Sequence, residues 1–127
     1  MKIGFIAISG LRLADPGLLK LGMTFPAVAR RAKEIEALPS LGLLTIAGMT
    51  PPEVEVEYLE VRDVDHDDLP LHFDAVALST LSGTAKEAFR LAERFREFGM
   101  PTILGGLHAT LAPEECKKHV DCLIIGE

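Results

Sequence analysis

Short apolar runs, each broken off by glycine, proline or a polar turn, divide the chain into elements. Lys2–Ser9 is almost wholly apolar and rich in β-prone residues, which predicts a central strand buried on both faces, as in a parallel sheet. Val54–Val61 instead begins by alternating, with Val54, Val56 and Tyr58 set between Glu53, Glu55 and Glu57. That pattern predicts a strand with one wet face, at an edge of the sheet. Phe73–Ser79 reads as a third strand, Thr102–Leu104 as a fourth and Asp121–Ile125 as a fifth.

Between the strands the period lengthens. Ala85, Ala88, Phe89, Ala92, Phe95 and Phe98 recur at helical spacing. Thr84-Ala85-Lys86-Glu87 has the form of a capping box at the start of that helix, Gly99 closes it, and Pro101 forbids its continuation. Leu41–Met49, opened by Pro39-Ser40 and closed by Thr50-Pro51-Pro52, reads as a buried helix. A polar turn is expected after Gly105-Gly106. Pro113 then opens a short helix, with Glu114 and Glu115 early and Lys117, Lys118 and His119 late, in accord with the helix dipole. From Gly10 to about Leu38 the pattern is weak. Asp15-Pro16-Gly17 marks a turn, Ala27–Ala37 is a candidate helix, and connections of this length are often functional or mobile.

Strand and helix alternate, which predicts an α/β fold: a doubly wound parallel five-stranded sheet, flavodoxin-like, with strand order 2-1-3-4-5. The 127 residues suit a single domain. No helix pattern follows the fifth strand to cover the sheet, so residues 1–127 are expected to be an excised N-terminal part of a longer chain.

Charge and composition narrow the function classes. A net charge of −6, with thirteen basic residues in no stripe, argues against nucleic acid as a principal partner. No apolar run reaches the roughly 18 residues a membrane span needs, and Met1–Ile8 lacks the length and cleavage site of a signal peptide. Two cysteines, Cys116 and Cys122, are too few for a disulfide scaffold, so a cytoplasmic location is expected. Cys122, opening a strand, is expected to be buried.

In sheets of this kind ligands bind at the carboxyl ends of the strands. The tips there are Ser9-Gly10, Ser79-Thr80-Leu81-Ser82-Gly83, Gly105-Gly106-Leu107-His108 and Gly126-Glu127. None carries a carboxylate pair, a nucleophile beside a base, or a metal cluster, so no catalytic residue is expected. They are small, hydroxylic and glycine-rich, which suits a surface that receives something bulky, and the paired glycines would let a flat ligand approach the backbone. A phosphoacceptor receiver needs an aspartate where Ser79 and Thr80 stand. A flavodoxin needs more hydroxyls and glycines than Ser9–Leu13 offers, and a dinucleotide site needs G-x-G-x-x-G where only Gly10 is present. Asp63, Asp65, Asp67, Asp68 and His66 read as a solvated acidic loop, with a metal or small-molecule sensor as the weaker alternative. Asp68 occupies the place where a calcium loop needs glycine. His108 reads as a turn residue before a catalyst.

Ser79-Thr80-Leu81 and Gly105-Gly106 resemble the S-x-L and G-G signatures of cobalamin-binding domains. Pro39-Ser40-Leu41-Gly42-Leu43, Thr50-Pro51, Leu104–Thr110, Pro113-Glu114-Glu115 and the stretch from Asp121 to Gly126-Glu127 are similar to the N-terminal domain of B12-dependent radical S-adenosylmethionine enzymes, nearest to the anaerobic magnesium-protoporphyrin monomethyl ester cyclase group. The resemblance implies that Ser79, Thr80, Leu81, Gly105, Gly106, His108 and Gly126 bind the cofactor. The serine would hydrogen-bond the base of the nucleotide tail, and the glycines would leave it room. It further implies a downstream radical S-adenosylmethionine domain, with S-adenosylmethionine and a 4Fe-4S cluster bound beyond Glu127. Two features depart from the wider family. The D-x-H-x-x-G motif, whose histidine supplies the lower cobalt ligand, has no counterpart in Gly10–Leu21, and no C-x-x-x-C-x-x-C motif occurs. Cobalamin would then be held base-off without a protein histidine. The alternative is a structural or interaction domain that kept the fold and lost the cofactor.

Overall fold

The computed structural model describes residues 1–8 and 39–126. Met1–Ile8 and the residues from Ser40 onward form one compact unit. Strands β1 (Lys2–Ile8), β2 (Glu55–Val61), β3 (Ala75–Ser79), β4 (Thr102–Gly105) and β5 (Cys122–Leu123) build a five-stranded sheet in the order β2-β1-β3-β4-β5. Every neighbouring pair is parallel. Fold class and strand order therefore agree with the hydrophobic pattern. The expected helix at Ala27–Ala37, the tip Ser9-Gly10 and the loop Gly10–Leu21 lie outside the described residues.

One sheet face is covered by α2 (Ala85–Glu97), which buries Ala85, Ala88, Phe89, Leu91, Ala92 and Phe95 against Ile6, Val76, Leu78 and Leu104. Phe98 departs from the expected stripe: it is the C-cap, one residue past the last turn, and is exposed. The helix then closes with paired bonds from Gly99 N–H to the Arg96 carbonyl (2.8 Å) and from Met100 N–H to the Phe95 carbonyl (3.1 Å), with Gly99 at φ 76°. This is the left-handed glycine stop that the sequence implies. The capping box does not form at the other end. A 3-10 turn over Ser82–Thr84 leads into the helix, and Thr84, at φ −112° and ψ 7°, makes no side-chain cap bond. Its hydroxyl instead faces back toward Leu81.

The opposite face carries α1 (Leu41–Met49), whose Leu43 packs with Phe5, Ala7 and Ala77. Tyr58 anchors the entry to this helix, its hydroxyl accepting the Ser40 N–H at 2.8 Å. The expected burial of α1 is not what the fold provides. Only Leu43 is buried, and Leu41, Leu44, Ile46 and Met49 are exposed, because a helix of nine residues turns a single stripe to the sheet. At the amino ends of the strands Gly4 is required by packing, since a Cβ there would lie 2.7 Å from the Phe73 ring.

The acidic loop after β2 is organised inward. Asp67 Oδ2 accepts the N–H groups of Arg62 (2.9 Å) and Asp63 (3.0 Å), and Asp63 Oδ1 accepts that of Asp65 (3.0 Å). These bonds hold both carboxyls below the ordinary range. From α2, Arg94 donates to the carbonyls of Val64 and Asp67. Two of the four acids are thus spent on their own backbone, and among the described residues no His, Cys, Asp and Glu side chains converge to hold a metal ion. No described helix is long and apolar enough to cross a membrane.

Candidate functional site

The tips of β3, β4 and β5 meet at the carboxyl edge of the sheet, and three sequence segments build that edge. Across the β3–β4 pair Ser79 lies opposite Gly105, and across the β1–β3 pair it lies opposite Ala7. Side chains alternate along a strand. Ser79 therefore projects to the same face as Ala77, and Gly105 to the same face as Ile103, which is the α1 face. The Ser79 hydroxyl makes no hydrogen bond to any described residue. Beside it, a Cβ on Gly105 would find nothing among the described residues closer than Ile124 Cβ at 3.8 Å. Ser79 and Gly105 thus form a patch of small residues at the carboxyl edge, with a hydroxyl that bonds to no described residue, while Ala77 on the same face lies beneath Leu43 of α1.

The paired glycines differ. Gly106 sits at φ 98° and ψ −175°, and a Cβ there would lie 2.8 Å from the Thr80 carbonyl oxygen, 2.9 Å from Thr80 N and 2.9 Å from Ser79 Oγ. The room expected at both glycines exists at Gly105. At Gly106 the missing side chain admits the tip of β3 itself. That close approach lets Thr80 donate its N–H to the Gly105 carbonyl (3.1 Å) and accept the His108 N–H on its own carbonyl (3.2 Å). Thr80 is buried, with its hydroxyl donating to the Leu81 carbonyl (2.9 Å) and lying 3.2 Å from the Thr84 hydroxyl. Leu81, in contrast, points out and is exposed.

No polar turn follows Gly106. The chain enters α3 (Leu107–Leu111) directly and then α4 (Pro113–Cys116), with buried Ala109 and Cys116 as their anchors. The His108 ring is largely covered. Its Nδ1 lies 3.2 Å from Ser82 Oγ, and its Nε2 is 3.4 Å from Glu115 Oε2 but makes no hydrogen bond. Burial pushes the Cys116 thiol pKa up, which keeps it protonated and unreactive. Gly126, at φ 94°, donates its N–H to the Thr110 hydroxyl at 3.0 Å. The expected fifth strand is shorter than Asp121–Ile125, and Cys122 is exposed, because β5 is the outermost strand and pairs on one side only. Thr84 and Thr110 carry much of this geometry without having been singled out from sequence as site residues. Their only signal is a hydroxyl placed shortly after a strand tip.

Residues 75–85, 101–112 and 122–126 contain no Asp, Glu, Lys or Arg, although a quarter of the chain is charged. Leu81, Leu107, Leu111, Ile124 and Ile125 are all exposed there. The described part of the edge is therefore apolar at its rim, with Ser79 on its floor. It has no Lys or Arg to pair with a phosphate dianion, and the His108 imidazole on it is covered between Ser82 and Glu115. A shallow hollow lined by Arg96, Met100, Pro101 and Asp121 lies at the amino ends of β4 and β5, away from these groups.

Comparison with known proteins gives two relatives, both from Chlorobaculum tepidum. Over 88 residues, 69% of its length, the chain is 34% identical to bacteriochlorophyllide d C-8(2)-methyltransferase. Over 90 residues, 68% of its length, it is 30% identical to bacteriochlorophyllide d C-12(1)-methyltransferase. The chain is a distant homologue of part of these enzymes, and the matched stretch spans 19% of each relative. No protein-family model matches the chain, and no solved structure matches it significantly.

Proposed function

We propose that this chain is a cobalamin-binding domain that holds its cofactor base-off, with no protein histidine on cobalt, and presents the corrin to a radical S-adenosylmethionine catalytic domain of the same polypeptide. The observation that carries this reading is the Ser79 hydroxyl at the carboxyl edge of the sheet, beside Gly105 and unbonded among the described residues. The chemistry of the edge supports it. Flavin mononucleotide and dinucleotides bring phosphate groups that want cations or a glycine-rich helix start, and the described tips offer no Lys or Arg. Cobalamin brings neutral amides and a single monoanionic phosphodiester, less charge than the phosphate dianion of flavin mononucleotide or a pyrophosphate, so it asks less of a rim without Lys or Arg. Homology to two methyltransferases points the same way.

In this reading Ser79 donates a hydrogen bond to the ring nitrogen of the nucleotide base, while Gly105 leaves space for the tail. Gly106 and Thr80 hold the β3 and β4 tips together, and Leu81, Leu107 and Ile124 exclude water from the apolar face above. Bound cobalamin would supply a carrier for a one-carbon group. The chain's own contribution is binding, orientation and shielding, and the S-adenosylmethionine and 4Fe-4S cluster would be held by the catalytic domain beyond Glu127. The substrate class suggested by the relatives' names is a tetrapyrrole of the chlorophyllide type.

The test is equilibrium binding of hydroxocobalamin to the intact protein, followed by the shift of its visible spectrum. Binding with a base-off spectrum is expected, and Ser79→Ala is expected to weaken it about five- to tenfold, the effect of one hydrogen bond. If the intact protein binds no cobalamin, and Ser79→Phe leaves its activity unchanged, the domain is a structural one that kept the fold without the cofactor.

A further inference from the structure

Helix α3 makes contact with the tips of three strands. On the β3 side the His108 N–H donates to the Thr80 carbonyl, and the His108 ring contacts Ser82. On the β4 side Thr110 donates both its N–H (3.2 Å) and its hydroxyl (3.3 Å) to the Gly106 carbonyl. On the β5 side the same hydroxyl accepts the Gly126 N–H at 3.0 Å. β5 needs such a tie. It pairs with β4 through only Cys122 and Leu123, followed by one bond from Ile124 N–H to the Leu104 carbonyl at 2.8 Å. Beyond Ile124, the Gly126–Thr110 bond is what holds the chain to the sheet edge among the described residues. Ile124 is also the side chain nearest to the position a Cβ on Gly105 would take, at 3.8 Å.

We infer that Thr110 is a positioning residue of this site: its hydroxyl bridges the end of β4 to the chain leaving β5. By doing so it holds Ile124 as the wall beside the Gly105 floor and sets the direction in which the polypeptide leaves the sheet. The hydroxyl suits both demands at once, because it is donor toward Gly106 and acceptor from Gly126. Valine has the same shape and neither capacity, whereas serine keeps both. The part of this inference that concerns ligand affinity rests on the cobalamin reading, and the part that concerns the β5 tip does not.

The experiment is amide hydrogen exchange on the intact protein, compared among wild type, Thr110→Val and Thr110→Ser. In the valine variant exchange at Gly126 is expected to speed up about fivefold, the opening expected from losing one hydrogen bond. Amides of α2 should keep their wild-type protection, and the serine variant should restore Gly126. Unchanged exchange at Gly126 in Thr110→Val, or no rescue by serine, overturns the inference. Hydroxocobalamin titration of the same three proteins is the second arm, in which Thr110→Val should bind several-fold more weakly and Thr110→Ser like wild type. Equal affinity in all three overturns the link to the ligand floor. Absence of binding by the wild type refutes the cobalamin reading and leaves the exchange result to decide the role of Thr110.

Discussion

Gly105 and Gly106 are adjacent and chemically identical, yet they have opposite tasks. Gly106 occupies a backbone conformation reserved for glycine and lies against Thr80 and Ser79. Gly106→Ala is therefore expected to cost about 2–3 kcal/mol from backbone strain alone, with the collision against β3 added. Chemical denaturation would show this as a lowered midpoint. Among the described residues Gly105→Ala meets only Ile124, at van der Waals distance, so its stability should stay within about 0.5 kcal/mol of wild type. The same methyl group stands on the floor beside Ser79, and hydroxocobalamin titration should show its affinity reduced at least tenfold. Equal destabilisation by the two alanines would refute the division. The sequence displays the pair as a ligand surface; which glycine faces free space depends on how far β3 runs alongside β4, a tertiary matter.

At the scale of elements, β5 is the least supported strand, and its entry is secured by Asp121. The Asp121 carboxylate accepts the Thr102 N–H and hydroxyl, both at 2.9 Å, on one oxygen and the Arg96 guanidinium at 3.1 Å on the other. The Thr102 backbone bond, more than the guanidinium, holds its pKa below the ordinary 3.8. A depressed folded-state pKa gives stability that is present above the unfolded value and is lost as pH falls through the folded one. The stability gap between wild type and Asp121→Asn should thus be widest above about pH 5 and shrink below about pH 4. Thermal melts across that range would measure it, and a gap independent of pH would contradict the assignment. The glycine stop of α2 holds because it follows from residues close in sequence, and β2 lies at the sheet edge as expected, although Val56 and Tyr58 pack on one of its faces and Leu59 and Val61 on the other. The expected burial of α1 failed because uniform apolarity does not say how much neighbouring surface the fold supplies to a helix.

At the scale of the whole molecule, a ligand that binds only the folded chain must stabilise it. At a free concentration one hundred times its dissociation constant, hydroxocobalamin should add about 2.7 kcal/mol, a rise in melting temperature on the order of 5–10 °C for a domain of this size. Flavin mononucleotide at the same concentration should add nothing. A shift with the flavin and none with cobalamin would overturn the assignment of the ligand class.

The sequence by itself determined the parallel α/β architecture and the strand order, because apolar runs without alternation belong to strands covered on both faces. Its one alternating run, β2, marked the exposed edge of the sheet. It also placed the candidate chemistry on the strand tips, since glycines and hydroxyls punctuate the chain there. The tertiary structure decided what those tips can do. The placement of the Ser79 hydroxyl, the room for a methyl group at Gly105, the filled space at Gly106 and the Thr110 bridge to Gly126 each depend on groups from different strands meeting. Such meetings are set by sheet register and packing, which single-residue preferences and local periodicity do not encode.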